Sequence, residues 1–288
     1  MSKVIKGGDL VCAALAGPQD VTMCYASVGN WRRMADGAEI SERPYPASRM
    51  SAMVDLGEFD PTQRYPIRRA WGVTDDTTVI GWAGPLDRKT RVEDFIRAAA
   101  IMHQWHPATH FVVMGGPAAV RPEYATELSP LVHELNLQGA LQFLGDRSDL
   151  PRLLAGLDIF TWLGRAEGMP QVISEAGAAA LPVIATRTIG SVGQITDGVT
   201  GLLVPHESPG AVAAAMERLY LNRGLGVRLG HALRQKVERE YSTAAVARRW
   251  EGSFAGLLEE GDDLEDSLTL FGYGDGHNCP LPRVGVNF

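Results

Sequence analysis

Two glutamates eight positions apart, Glu167 and Glu175, sit in the stretch Arg165-Ala166-Glu167-Gly168-Met169-Pro170-Gln171-Val172-Ile173-Ser174-Glu175-Ala176. Gly168 lets a ligand approach the backbone and Pro170 suits a first helical turn, so a helix is predicted from here to about Ala180. The unpaired N–H groups and positive dipole end of such a helix form an anion site. At ~1.5 Å per residue Glu175 lies about 7 Å along the axis from Pro170, with its side chain leaning back toward the helix start. A carboxylate accepts two hydroxyl hydrogen bonds at once. A diphosphate on the helix end would then leave a ribose diol to Glu175 and a sugar to Glu167. Spacing alone favours a plainer reading, with Glu167 capping the helix and Glu175 solvated. The position at the end of an apolar strand, where open parallel sheets bind ligands, together with Gly168 and the small residues of 176–180, favours the ligand site.

Other candidates carry less. His103, His106 and His110 have metal-like spacing, but Pro107 ends the helix after His106 and the three cannot share a face, so no metal site is expected. Gly115-Gly116-Pro117 at a strand end could approach a ligand, but it lacks the G-x-G-x-x-G of dinucleotide binding and reads equally well as a tight strand-to-helix turn. Trp71, Trp82, Trp105 and Trp162 read as core and rim packing rather than a stacking platform.

The elements that must hold these residues are legible from about Thr78 onward. Apolar runs at Thr78–Ala83, His110–Met114, Ala140–Leu144, Asp158–Leu163, Pro182–Thr186 and Gly201–Val204 alternate with amphipathic stretches. That is the pattern of an α/β fold with a doubly wound, mostly parallel sheet. Phe95, Ala98, Ala99 and Met102 share one helix face, and Tyr124, Leu128, Leu131 and Leu135 another. After Val204 the pattern is helical, over Pro209–Leu221, Val227–Tyr241 and Thr243–Leu258. Residues 1–53 are expected to be irregular, with Ser27–Arg33 a candidate helix start; Pro44, Pro46, Pro61 and Pro66 make 41–70 read as mostly extended or linker-like, and 54–77 is expected to be a connecting segment. The nucleotide-binding unit covers 78–258. A tail over 259–288, with six acids among Glu259–Asp266, is expected to be disordered.

Composition narrows the function classes. Hydrophobic residues at 45% and charged residues at 21% support a folded core. Lys and Arg total 27 against 34 acids, a net charge of -7, so no global basic field attracts nucleic acid and any anion site must be local. Three unpaired-looking cysteines, Cys12, Cys24 and Cys279, fit a reducing compartment, and a cytoplasmic location is expected. No run approaches the ~20 apolar residues of a transmembrane segment.

On these residues the sequence resembles the retaining glycosyltransferases of the GT-B fold, family 4 type, also called glycosyl transferases group 1. The resemblance rests on Glu167 through Glu175, on Ala180-Leu181-Pro182-Val183-Ile184-Ala185-Thr186, on Asp197-Gly198-Val199-Thr200-Gly201-Leu202-Leu203-Val204 and on Gln142-Phe143-Leu144-Gly145. Val54-Asp55-Leu56-Gly57-Glu58-Phe59-Asp60-Pro61 looks like the family's interdomain segment. The resemblance implies a Rossmann-like C-terminal half that binds a nucleotide-sugar donor as substrate, with no cofactor and no metal. Glu175 would meet the ribose, Glu167 and the backbone of Gly168, Met169, Pro170, Gln171 and Val172 the donor sugar, and Leu144 and Gly145 the base. Gly84 begins the loop that in the family carries an Arg and a Lys clamping the diphosphate.

Two departures stand out. The clamp positions are Pro85 and Thr90, and either Arg88, Lys89 or Arg91 replaces the missing cations or all three are solvated charges. The other departure is length, because only about 50 residues precede the interdomain segment, and this implies a truncated N-terminal domain. The expected function is transfer of a sugar from the donor to an unidentified acceptor with retention. The alternative is a non-catalytic or degenerate donor-binding subunit that needs another chain to supply the acceptor domain.

Overall fold

The structure, a computed structural model, describes residues 4–7, 10–13, 53–117, 123–165 and 168–249. Its centre is a six-stranded sheet of β3 (Thr78–Ala83), β4 (Thr109–Met114), β5 (Leu141–Gly145), β6 (Ile159–Trp162), β7 (Val183–Thr186) and β8 (Leu202–Val204). The order is β5-β4-β3-β6-β7-β8 and every pairing is parallel. Each strand expected from an apolar run is present, shifted by a residue or so. Burial on both faces is what made β3, β6 and β7 legible, since all their residues are buried, whereas the edge strand β5 buries only Leu141.

Alternate residues feed two cores. Ile80, Trp82, Phe111 and Val113 point to one face, covered by α2 (Val92–Trp105), α3 (Tyr124–Glu134) and α7 (Pro209–Leu221). Val79, Ala83, Val112, Met114 and Phe160 point to the other, covered by α1 (Arg64–Ala70), α4 (Leu150–Leu154), α5 (Gln171–Ala178) and α8 (Arg223–Glu240). The short α6 (Ile189–Gln194) follows β7. The expected helix face of Phe95, Ala98, Ala99 and Met102 is wholly buried. In α3, Tyr124 and Leu128 are buried, while Leu131 and Leu135 are only partly so and Val132 takes their place in the core.

The segment expected to connect two domains is tied to this body. Val54 donates to Tyr241 O at 2.9 Å and accepts from Thr243 N at 3.0 Å, and turns at Leu56–Glu58 and Pro61–Gln63 lead into α1. Ile67 and Trp71 of α1 enter the second core. Arg68, 1% exposed, reaches Asp158 Oδ2 at 3.0 Å and the carbonyls of Gly156, Thr74 and Thr77. Asp158 also accepts from Arg64 at 2.6 Å and from Val79 N at 2.8 Å, so one carboxylate pins α1 to the N-terminal edge of the sheet.

Three expectations need correction or completion. Within the stretch expected to be irregular, β1 (Val4–Gly7) and β2 (Leu10–Ala13) pair as antiparallel strands, as the β-branched Val4, Ile5 and Val11 favour. α8 begins at Arg223 rather than Val227, because Asn222 Oδ1 caps Leu225 N at 2.9 Å ahead of the glycines that hid this turn. Residues 243–249 are helical, while the rest of that expected helix, the 259–288 tail and Ser27–Arg33 lie outside the described residues.

Candidate functional site

Strand order reverses beside β3: the chain moves outward through β4 and β5, then returns to β6 on the other side. Ligands of open parallel sheets bind outside the carboxyl ends of strands at such a point. A cleft of about 410 Å³ lies there, lined by Ala83, Gly84 and Pro85 after β3, Met114, Gly115, Gly116 and Pro117 after β4, Asp146 and Arg147 after β5, Leu150, and Val172 of α5. The turns stack tightly. Gly84 N donates to Met114 O at 3.0 Å, Leu86 N to Gly116 O at 2.9 Å, and Gly115 N to Gly145 O at 2.8 Å. A Cβ on Gly115 would stand 1.8 Å from Gly84 O, and one on Gly116 would stand 2.9 Å from Asp146 Cβ. Gly115-Gly116-Pro117 is therefore both the tight turn after β4 and part of the cleft wall.

The loop after β3 is closed on itself. Thr90 is buried, and its hydroxyl lies 2.7 Å from both Pro85 O and Asp87 O. The two clamp positions thus bond to each other. Arg88, one of the three candidate replacements, donates to Glu127 Oε2 at 2.7 Å and lies over the Tyr124 ring at 5.2 Å. Arg91 is held by Glu93 and Asp94, each at 2.9 Å. The exposed Lys89 does not line the cleft and its ammonium has no partner among the described residues, while its carbonyl accepts from Arg165 N at 2.9 Å.

Helix α5 forms the opposite wall. Its N-cap is Pro170, one position outside the first turn, with no side-chain cap, which leaves its first N–H groups unpaired within the helix. Buried Gln194 of α6 donates to Pro170 O at 3.0 Å and accepts from Ser174 Oγ at 2.7 Å, fixing where α5 starts. Gly168 is exposed, Met169 packs on the second core and Pro170 is buried. Gln171, exposed, donates to Glu175 Oε1 at 3.1 Å. Burial pushes the Glu175 carboxyl above the usual range against that hydrogen bond, and the negative charge of Glu58 adds to the rise. Glu175 is outside the cleft lining but one turn beyond Val172. Glu167 lies outside the described residues.

A smaller hollow of about 190 Å³ adjoins the cleft, lined by Pro66, Ile67, Ala70, Trp71, Leu144, Arg147, Asp149, Arg152 and Leu153. Leu144 therefore faces this hollow. Gly145 holds the β5 end turn with φ +72°, a conformation that suits glycine. Arg147, shared by both concavities, is the residue the sequence reading passed over. Its signal was position: it is the first cation after the C-terminal end of β5.

The model of the family described as "Glycosyl transferases group 1" matches residues 63–236, more than half of the chain. The chain belongs to this family. A "D-inositol 3-phosphate glycosyltransferase" of Corynebacterium jeikeium is 30% identical over 220 residues, which are 73% of this chain and 50% of that protein. The enzyme of the same name from Salinispora arenicola is 29% identical over 218 residues, covering 72% and 47%. The chain thus spans about half the length of the curated relatives it matches. Among solved structures, Anabaena Alr3699/HepE in complex with UDP superposes with TM-score 0.67 at 21% identity, over 71% of this chain and 56% of that one. The C-terminal domain of the group 1 glycosyl transferase LpcC from Francisella tularensis gives 0.60 at 24% identity, over 66% of this chain and 99% of that domain. The fold is that of a GT-B C-terminal half. Among the described residues no helix is long and apolar enough to cross a membrane.

Proposed function

We propose that this chain binds a nucleotide-sugar donor in the cleft and serves glycosyl transfer with retention. The observation that carries the reading is the glycine-walled cleft at the sheet's reversal point, faced by the open N-terminus of α5. A diphosphate there would meet α5 amides and lie over the side-chain-free Gly84 and Gly115, whose own N–H groups are taken by Met114 O and Gly145 O. A ribose beyond Val172 would find Glu175 one turn on. In transfer, the bond from the anomeric carbon to the diphosphate oxygen breaks, α5 amides support the charge left on the diphosphate, and an acceptor hydroxyl attacks from the same face, its proton passing to the departing diphosphate oxygen. Glu167 is assigned to the donor sugar, and no metal or cofactor is assigned.

The acceptor would be held by a second domain across the cleft. A second reading, a donor-binding subunit without catalysis, is favoured by the neutral, mutually bonded Pro85 and Thr90. The test is calorimetric titration with UDP-, GDP- and ADP-sugars, then transfer and hydrolysis assays with and without neighbouring chains, following the anomer by NMR. Since the relatives are D-inositol 3-phosphate glycosyltransferases, D-inositol 3-phosphate is the first acceptor to try. Binding without turnover would select the second reading, and no binding to any nucleotide would refute both.

A further inference from the structure

The cleft's described lining holds a single cation, Arg147. Other basic side chains near the β3 turn are committed elsewhere or stand outside it: Arg88 binds Glu127, Arg91 binds Glu93 and Asp94, and Lys89 is absent from the lining. A diphosphate entering the cleft would therefore meet backbone amides and one guanidinium.

That guanidinium is already oriented. Arg147 Nε donates to Asp149 Oδ1 and Nη2 to Asp149 Oδ2, both at 2.8 Å, in the two-pronged geometry that fixes the plane of the fork. Asp149 in turn sits below the usual carboxylate range because of Arg147. A guanidinium has five N–H groups, and this pair uses two, so Nη1 and the second Nη2 hydrogen remain for another acceptor. A side chain held in place before the ligand arrives loses less freedom on binding. Asp146, the lining's one anion, lies beside Arg147 and favours a ligand that places its charge on the guanidinium rather than across the whole cleft.

We propose that Arg147, oriented by Asp149, is the cation that binds the diphosphate of the donor, doing from the β5 turn what the β3 loop does not do at Pro85 and Thr90. This rests on the donor-site reading above. It places the cation on the β5 side of the cleft, between the cleft and the hollow that Leu144 lines.

The experiment is calorimetry on the full chain and its R147A, R147K and R152A variants, each checked by thermal melting. The ligands are whichever of UDP, GDP and ADP binds the wild type most tightly, and the matching nucleoside. R147A should weaken the diphosphate about 10- to 100-fold, as expected for loss of charge-assisted hydrogen bonds, with a shallower dependence on salt and an unchanged nucleoside affinity. R147K, keeping the charge without the fork, should fall between. R152A removes a charge from the adjoining hollow and should change affinity less than twofold. Wild-type binding that survives R147A overturns this inference alone, as does an equal loss with R152A or an equal loss for nucleoside and diphosphate. A wild type that binds none of the three nucleotides overturns the donor reading and this inference with it.

Discussion

Replacing Gly115 by alanine tests whether the stacked turns make the cleft. The new Cβ would stand 1.8 Å from Gly84 O and 2.9 Å from Gly84 C, both backbone atoms that no side-chain rotation can clear. Reaching even about 3 Å requires the two turns to part by roughly 1.2 Å, when a well-formed N–H···O bond tolerates only ~3.2 Å. Such a shift would break Leu86 N to Gly116 O, now 2.9 Å, and Gly84 N to Met114 O, now 3.0 Å. Two hydrogen bonds at ~1 kcal/mol each and overpacking at ~1–3 kcal/mol give a loss of about 3–5 kcal/mol. For a domain of this size that lowers Tm by about 6–20 °C. The same movement displaces the Gly84 and Gly115 walls, so nucleotide affinity should fall at least about tenfold. Gly139→Ala is the control, because its Cβ would meet nothing within 4 Å. Thermal melting and nucleotide titration on both variants decide the matter. A G115A protein that melts within about 2 °C of wild type and binds nucleotide equally would refute the reasoning.

Other perturbations separate anchoring, ionisation and clamp. Asp158→Ala leaves Arg68 buried without its counter-charge and should cost about 3–5 kcal/mol, read as a lower denaturation midpoint, whereas loss of an ordinary surface pair costs under ~1 kcal/mol. Glu175 has a raised pKa, so the folded state holds that proton more tightly than the unfolded chain. Its share of stability is present below the ordinary carboxylate range and is lost as pH rises through the raised value. Glu175→Gln should therefore raise Tm at neutral pH relative to wild type and leave it nearly unchanged at acidic pH, while weakening nucleotide binding at neutral pH. Arg88→Ala should leave nucleotide affinity within about twofold and stability within ~0.5 kcal/mol, because its pair with Glu127 is exposed and outside the cleft; a tenfold loss would return Arg88 to the donor site.

What the sequence disclosed follows from how local each feature is. β3 was readable because Thr78–Ala83 is apolar for two cores at once, and α7 because Pro209 opens it and Asn222 stops it. The start of α5 was readable to within one position. The other half of the cleft was not. That Gly115 abuts Gly84 depends on β4 lying beside β3, and Arg147 lines the same space only because β5 comes next in the sheet. The orientation of Arg88 depends on Glu127, 39 residues away, and no spacing rule within its own loop encodes that partner.

The packing of α5 against α8 says how far the cleft can change width. A Cβ on Gly177 would come within 2.8 Å of the side chains of both Leu233 and Val237, and one on Gly230 within 2.1 Å of Ala180 O just past α5, so α8 packs directly on the α5 backbone and on the chain that leaves it. Gln194 holds the other end of α5 at Pro170. Gripped at both ends, α5 has no room to slide or roll, and it behaves as a fixed jaw. The facing turns after β3, β4 and β5 are pinned to one another by backbone hydrogen bonds of 2.8–3.0 Å and by the close approach of Gly115 to Gly84. Both walls are thus set before a ligand arrives, and the width of the slot is a property of the fold rather than of what fills it.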